Sequence, residues 1–397
     1  MRLAQRALSI SPSPTLAIDA RAKKMMAAGE KVINFGVGEP DFDTPDNIKA
    51  AAIEAINRGL TKYTAVAGTD QLRQAIVDKF KKDNGLDYKA DQIVVSVGAK
   101  HSLYNTFQVL CQEGDEVILP APYWVSYLEQ IKLAGASPVI VQTRASNNFK
   151  LTVEELESVV TKRTRLIIMN SPSNPTGAVY SRDELAALGE VFVRQGIVVI
   201  SDEIYEKLIY DGHEHVSIAA LSSELKDLTV VINGVSKSYA MTGWRIGYAA
   251  APEPVARAMA DLQSHSTSNP TSIAQAASVE ALVGDQSFLA QMLIEFDRRR
   301  RYMVDRLRAV PGVNCNLPGG AFYVFPEISA FLGRSYKGKV INGATDLADV
   351  LLSDARVAVV PGVAFGDDRC FRLSYATSMD KIQEGLNRLE AVLNEIN

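Results

Sequence analysis

The chain has 397 residues, 47% of them hydrophobic and 22% charged, with 42 Lys plus Arg against 46 Asp plus Glu for a net charge of −4. At roughly 150 residues per domain this length suggests two or three domains, and such a chain buries its core without disulfide or metal staples. No Lys/Arg stripe offers a nucleic-acid surface, no apolar run reaches membrane-spanning length, the opening MRLAQRALSISPSP lacks a signal-peptide core, and Cys111, Cys315 and Cys370 form neither a disulfide framework nor a Cys-x-x-Cys pair, so a cytoplasmic protein with a small partner is expected.

The first 45 residues precede any β-α alternation and are expected to pack against the C-terminal unit. Short apolar, β-branched runs then predict strands at 93–97, 116–119, 138–142, 166–169, 197–200, 230–232 and 246–250, with helical spacing between them at 103–111 and 182–194. This alternation predicts an α/β fold with a mainly parallel sheet covered on both faces. From 252 to about 310 the sequence reads as helix, and the charged run DRRRRYMVDRLRAV (297–310) reads as one long solvated helix. After Pro318 a smaller α+β unit is expected, with strands near 322–325, 357–360 and 370–374. The predicted division is a large domain over 47–290 and a small domain made of 1–46 together with 291–397.

Ligands of open α/β sheets bind where the carboxyl ends of the strands meet loops and helix N-termini. Five of the predicted strand ends here carry chemistry. Gly98-Ala99-Lys100 opens a helix whose free N–H groups suit a phosphate. Pro122-Tyr123-Trp124 presents an aromatic plate, and NSPSNPTG (170–177) is a rigid turn holding Asn174. Asp202 and Tyr205 follow one strand, and Ser236-Lys237 follow another. Taken singly, each has a bland reading as a loop or core residue. Together, an anion cradle, an aromatic plate, an acid and a lysine describe a site for a phosphorylated aromatic cation that reacts through an amine, a description met by pyridoxal 5'-phosphate.

Lys237 lies in SKSYAMTGWRIGY (236–248), which resembles the cofactor-lysine motif of class I aminotransferases of fold type I. GEPDFDTP (38–45), PYWVSY (122–127), NSPSNPTG, SDEIYEKLIY (201–210) and FRLSYA (371–376) resemble further motifs of that family, in the family's order, and the bacterial aspartate aminotransferase subgroup in particular. The resemblance covers almost the whole chain and implies a seven-stranded, mainly parallel sheet between helices, a homodimer with shared active sites, and transfer of the amino group of L-aspartate to 2-oxoglutarate. It further implies that Lys237 forms the internal Schiff base and then shuttles the substrate proton, that Asp202 pairs with the pyridine nitrogen, and that Tyr205 and Asn174 bond the phenolate oxygen. Arg245, Ser236, the Gly98 and Ala99 amides and Tyr63 of the other subunit would hold the phosphate, and Trp124 would stack on the ring. Arg372 would grip the substrate α-carboxylate in a bidentate fork, with the Gly38 backbone closing over it.

Three positions bear on how far that resemblance extends. Gly234 stands where many aminotransferases have a phosphate-binding serine three residues before the lysine. Lys100 stands where the subgroup is thought to receive the distal carboxylate, with a phosphate contact or a solvated helix lysine as alternatives. ISPSPT (10–15) has no basic residue, whereas members that accept prephenate tend to have a lysine there, so prephenate activity is not expected. His213 and His215 at i, i+2 spacing read as loop residues, no metal site is expected, and GVGEPD breaks the dinucleotide fingerprint at its last position. Other class I aminotransferases for alanine or aromatic substrates, a carbon-sulfur lyase, or a catalytically silent cofactor-binding regulator remain as alternatives.

Overall fold

The computed structural model describes residues 2–11 and 14–397; Met1, Pro12 and Ser13, and with them part of the 10–15 segment, lie outside the described residues. Seven strands form the central sheet: β1 (Ile93–Val97), β2 (Glu116–Ala121), β3 (Ser137–Gln142), β4 (Thr164–Asn170), β5 (Val198–Asp202), β6 (Thr229–Gly234) and β7 (Ile246–Ala250). Their order across the sheet is β1-β7-β6-β5-β4-β2-β3. Only β7 runs antiparallel to its neighbours, β1 and β6. The carboxyl ends of β1, β6, β5, β4 and β2 therefore share one edge.

Alternation along the strands explains the two-sided cover, because successive side chains leave a strand on opposite faces. Leu166 and Ile168 of β4 join one cluster with Leu103 and Phe107 of the helix after β1, whereas Ile167 and Met169 join another with Leu185, Leu188 and Phe192. Each such aliphatic or aromatic side chain contributes about 1.5–3 kcal/mol on burial. The helix Arg182–Gln195 is bounded by its own sequence. Ser181 accepts the Glu184 N–H while the Glu184 carboxylate accepts the Ser181 N–H, and Gly196 ends the helix at φ 65°.

In the N-terminal segment Ile33–Asn34 pairs in parallel with Val357–Ala358, and the Ser374 N–H donates to the Phe35 carbonyl at 2.8 Å. The 252–310 stretch is helical as three helices, Glu253–Ser264, Ser272–Val283 and Ser287–Ala309, interrupted before Pro270 and at Gly284. The charged run on the last of these is not simply solvated. Met303, Val304 and Leu307 are buried, and Arg300 is 0% exposed, with its guanidinium bonded to Asp211, Asp297 and the Pro318 carbonyl. Period-3.6 apolar positions between the arginines carry that buried face. The expected strand at 357–360 is two short pieces, because Val357–Ala358 pairs with the N-terminal segment and Val360–Pro361 with Phe371–Arg372. Among the described residues, no helix is long and apolar enough to cross a membrane.

Candidate active site

A cavity of about 670 Å³ opens at the shared carboxyl edge, lined by Lys237, Asp202, Tyr205, Asn174, Arg372, Arg245, Ser236, Lys100, Ala99, Trp124 and Gly38. Residues more than 300 positions apart in the chain thus meet in one chamber. The segment after Gly38 is fastened over the lysine loop. Trp244 Nε1 donates to Thr44 Oγ1 at 3.0 Å, Thr44 Oγ1 donates to the Ala240 carbonyl at 2.7 Å, and Thr242 Oγ1 donates to Glu39 at 2.9 Å. The Lys237 ammonium donates to the Gly38 carbonyl at 2.6 Å. Desolvation in the cavity pushes its pKa down from 10.5 to about 8, with Glu39 opposing the fall and Arg372 and Arg245 adding to it.

Asp202 ends β5 and is 3% exposed. Its Oδ2 accepts the Tyr127 hydroxyl at 2.7 Å and its Oδ1 accepts the Ile204 N–H at 3.2 Å. Burial raises its pKa from 3.8 to about 6 against those two bonds. The Tyr205 hydroxyl shares a 3.0 Å hydrogen bond with Tyr323, and burial keeps it protonated. Arg372 lies on a buried strand, where Nη1 donates to Asn174 Oδ1 at 2.9 Å and Nη2 to the Gly36 carbonyl at 2.7 Å. Its Nε is buried without a partner among the described residues, although the guanidinium lies 4.4 Å from the Tyr323 ring centroid. A buried cation with an orphaned N–H is suited to an incoming anion.

The other end of the cavity is built around the helix Ala99–Leu110. Gly98 precedes it at φ 83°, and a Cβ there would lie 2.4 Å from Arg245 Nη2. Gly247 likewise permits close approach, since a Cβ on it would meet the Ala99 nitrogen at 2.0 Å. Among the described residues no acceptor takes the Ala99 and Lys100 N–H groups, so the helix N-terminus keeps donors for an anion. Arg245 donates to the Thr242 carbonyl at 2.8 Å beside it. The Lys100 ammonium lies 4.9 Å from the Trp124 ring centroid, and partial burial together with Arg245 lowers its pKa. The missing serine at 234 has a steric reason. A Cβ on Gly234 would come within 2.9 Å of Gly247 Cα and the Ile246 carbonyl.

Tyr63 is not brought to this cavity and is 91% exposed. Sequence reading left Tyr127, Tyr323, Asn170 and Gly36 without a role, although Tyr127 stands in PYWVSY three residues after Trp124, one turn away on the same helix face. His215 lies in a loop as expected, but its ring turns inward to Glu203, 3.0 Å from Nε2 to Oε2. With Glu206 these groups come within 4.8 Å of one another, and the buried Lys79 ammonium pairs with Glu206 there. Spacing within DGHEHV could not show these partners, which lie outside the motif.

A lysine of depressed pKa, a buried carboxylate and an anion-ready helix N-terminus at the carboxyl edge of a mainly parallel sheet define an enzyme of lysine and phosphate-cofactor chemistry. The family model for aminotransferases of class I and II matches residues 30–389, and the chain belongs to that family, which is pyridoxal-phosphate dependent. It is 53% identical over 392 residues to an aspartate aminotransferase of Geobacillus stearothermophilus, covering 98% of each chain. It is 50% identical over 384 residues to an aspartate/prephenate aminotransferase of Cereibacter sphaeroides, covering 96% of each. Among solved structures, the aspartate aminotransferase of Rhizobium meliloti matches with a TM-score of 0.97 at 47% identity, covering 100% of both chains. The resemblance read from the motifs and the expected fold are thereby borne out.

Proposed function

We propose that this aminotransferase moves the amino group of L-aspartate to 2-oxoglutarate, giving oxaloacetate and L-glutamate in two half-reactions, with pyridoxal 5'-phosphate as its cofactor. The observation that carries the reading is one cavity holding a lysine of lowered pKa, a buried carboxylate and two further cations, Arg372 and Lys100, matching the two carboxylates of a dicarboxylic substrate. The residues present fit the cofactor. Gly98 lets the Arg245 guanidinium lie against the helix N-terminus whose Ala99 and Lys100 N–H groups are free among the described residues, and Asp202 is a buried acceptor. When bound, the cofactor supplies an aldehyde that condenses with amines and a pyridinium ring that draws off the electrons of the breaking Cα–H bond.

The chain's own residues then divide the work. Lys237 would hold the cofactor between turnovers and, as a free amine, would move the proton from the substrate Cα to the cofactor, and from the cofactor to Cα in the opposite half-reaction, a task suited to a pKa of about 8. Asp202 accepts the ring N–H, while Tyr205 and Asn174 donate to the phenolate oxygen. Ser236, Arg245 and the Ala99 amide hold the phosphate, and Trp124 covers the ring; the Gly98 N–H, expected in the same role, instead donates to the Ser96 carbonyl at 2.7 Å. Arg372 grips the α-carboxylate with Asn174 and the Gly38 backbone, and Lys100 meets the distal carboxylate. Tyr63, exposed in its own subunit, is assigned to the phosphate of a second copy, so the working form is a homodimer. The division into 47–290 and 1–46 with 291–397 would let the small domain close on the substrate. The three cysteines are free and buried, which supports a reducing cytoplasm.

The test is a single-turnover comparison of aspartate, alanine and phenylalanine, followed by cofactor absorbance. Aspartate is expected to react roughly 100-fold faster than either, the worth of one partly buried charge pair. Equal rates with alanine or phenylalanine would point to a different aminotransferase, and thiol release from a thioether amino acid would point to a lyase. Prephenate is expected to be a poor amino acceptor, and transamination of prephenate at the rate of 2-oxoglutarate would contradict that expectation.

A further inference from the structure

Asp202 and Trp124, two residues that face the cofactor in this reading, meet at a third to which the reading gives no task. Tyr127 stands in the first turn of the helix Val125–Leu133 and is 2% exposed. Its hydroxyl donates to Asp202 Oδ2 at 2.7 Å, and its ring stands edge-on to Trp124 with 5.3 Å between centroids and 81° between planes. One short side chain therefore fixes both the acid and the aromatic plate.

The Asp202 carboxyl needs such a partner. It is nearly sealed from water, and the neighbouring Glu203 charge opposes its ionisation, while Lys237 favours it. Left to burial alone it would hold its own proton and turn a donor, or either oxygen, toward whatever sits beside it. The Tyr127 hydroxyl, held protonated by burial and by the adjacent carboxylate, offers a donor at Oδ2. The Ile204 N–H fixes Oδ1 in the same way. A carboxylate has about four acceptor directions, so lone pairs remain for a further N–H.

We propose that Tyr127 is a positioning residue for the cofactor's ring nitrogen: its hydroxyl holds the Asp202 carboxyl ionised and oriented to accept the ring N–H, while its ring sets the tilt of Trp124. This rests on the cofactor assignment made above. The hydroxyl and the ring have separable tasks, because Tyr127→Phe removes the first and keeps the second.

The experiment measures the affinity of the apo-protein for pyridoxal 5'-phosphate and for its 1-deaza analogue, in which carbon replaces the ring nitrogen. The wild type is expected to prefer the nitrogen-bearing cofactor, and Tyr127→Phe should lower that preference about tenfold, the worth of one charge-assisted hydrogen bond. Tyr127→His, which keeps a ring and a donor, should retain more of the preference. In an Asp202→Asn background, adding Tyr127→Phe should change nothing further. A general loss of packing would weaken both ligands alike. An undiminished preference in Tyr127→Phe, or an equal loss for both ligands, overturns the proposal and leaves the cofactor assignment standing. A wild type that binds neither ligand, or both equally, overturns the ring-nitrogen assignment itself.

Discussion

Gly98→Ala probes the junction between the sheet edge and the phosphate end of the cavity. Gly98 sits at φ 83°, ψ 159°, a backbone region almost confined to glycine, so alanine there costs about 1–3 kcal/mol before any contact is considered. The new Cβ would lie 2.4 Å from Arg245 Nη2 and 2.8 Å from Cζ. A guanidinium at the end of a flexible side chain yields to such a clash. In yielding it leaves the Thr242 and Val97 carbonyls and moves out of the phosphate cradle. Stability should fall modestly, by about 1 °C in Tm for each kcal/mol in a chain of this size. The specific effect falls on phosphate. Affinity for pyridoxal 5'-phosphate should drop about 10-fold to 100-fold, the worth of one charge-assisted contact, while affinity for pyridoxal without its phosphate stays close to wild type. Fluorescence titration of the apo-protein with both ligands, beside a calorimetric melt, checks this. Equal weakening of the two ligands, or an unchanged phosphate affinity with a lowered Tm, would refute the placement of Arg245 at the phosphate.

Lys100→Ala should lower kcat/KM for aspartate and glutamate roughly 30-fold to 1000-fold and leave alanine nearly untouched, whereas Arg372→Ala should penalise all three; steady-state kinetics with the three amino acids separates a distal-carboxylate role for Lys100 from a phosphate role, in which all would fall together. In the apo-protein, Lys237 titrates at about 8 when folded and near 10.5 when unfolded, so between those values the unfolded chain holds the extra proton and stability rises with pH. The penalty is fully present below pH 8 and amounts to at most about 3 kcal/mol. Denaturant melts of Lys237→Met should therefore lie above wild type at pH 7 and converge with it toward pH 10.5, and parallel profiles would contradict the lowered pKa.

The sheet was legible because its strands are buried on both faces, which writes them as near-continuous β-branched runs: 93–97 and 246–250 match the observed β1 and β7 residue for residue. Asp202, Asn174 and Lys237 were legible for a related reason, since each lies in the segment that follows one of those runs, whereas Arg245 precedes one, Arg372 lies within one, and both were named through the motif resemblance. The two-residue piece Ile33–Asn34 left no comparable trace, and the run at 357–360 was legible as a strand but not as two pieces, because the pairing of such short pieces is set by distant partners rather than by local pattern. Arg300 misled for the same reason. An arginine inside RRRR reads as solvated, and only the fold brings Asp211 and the Pro318 carbonyl to it. Tyr127 was passed over because an apolar helix face and a hydrogen-bonding position look alike in one dimension. His215 shows the limit from the other side, since its partners Glu203 and Glu206 are near in sequence but meet it only through the return of the 211–217 loop.

The central claim is that this enzyme moves the amino group of aspartate to 2-oxoglutarate with Lys237 as nucleophile and proton carrier. The most direct measurement follows ¹⁵N from labelled L-aspartate in the cofactor-loaded enzyme and in Lys237→Ala, with 2-oxoglutarate present. The wild type should deliver the label to glutamate with one oxaloacetate formed for each glutamate, and the variant should bind cofactor yet transfer at least about 10³-fold more slowly, having lost both nucleophile and proton carrier. Near-normal transfer by Lys237→Ala, or release of the label as ammonia by the wild type, would contradict the account.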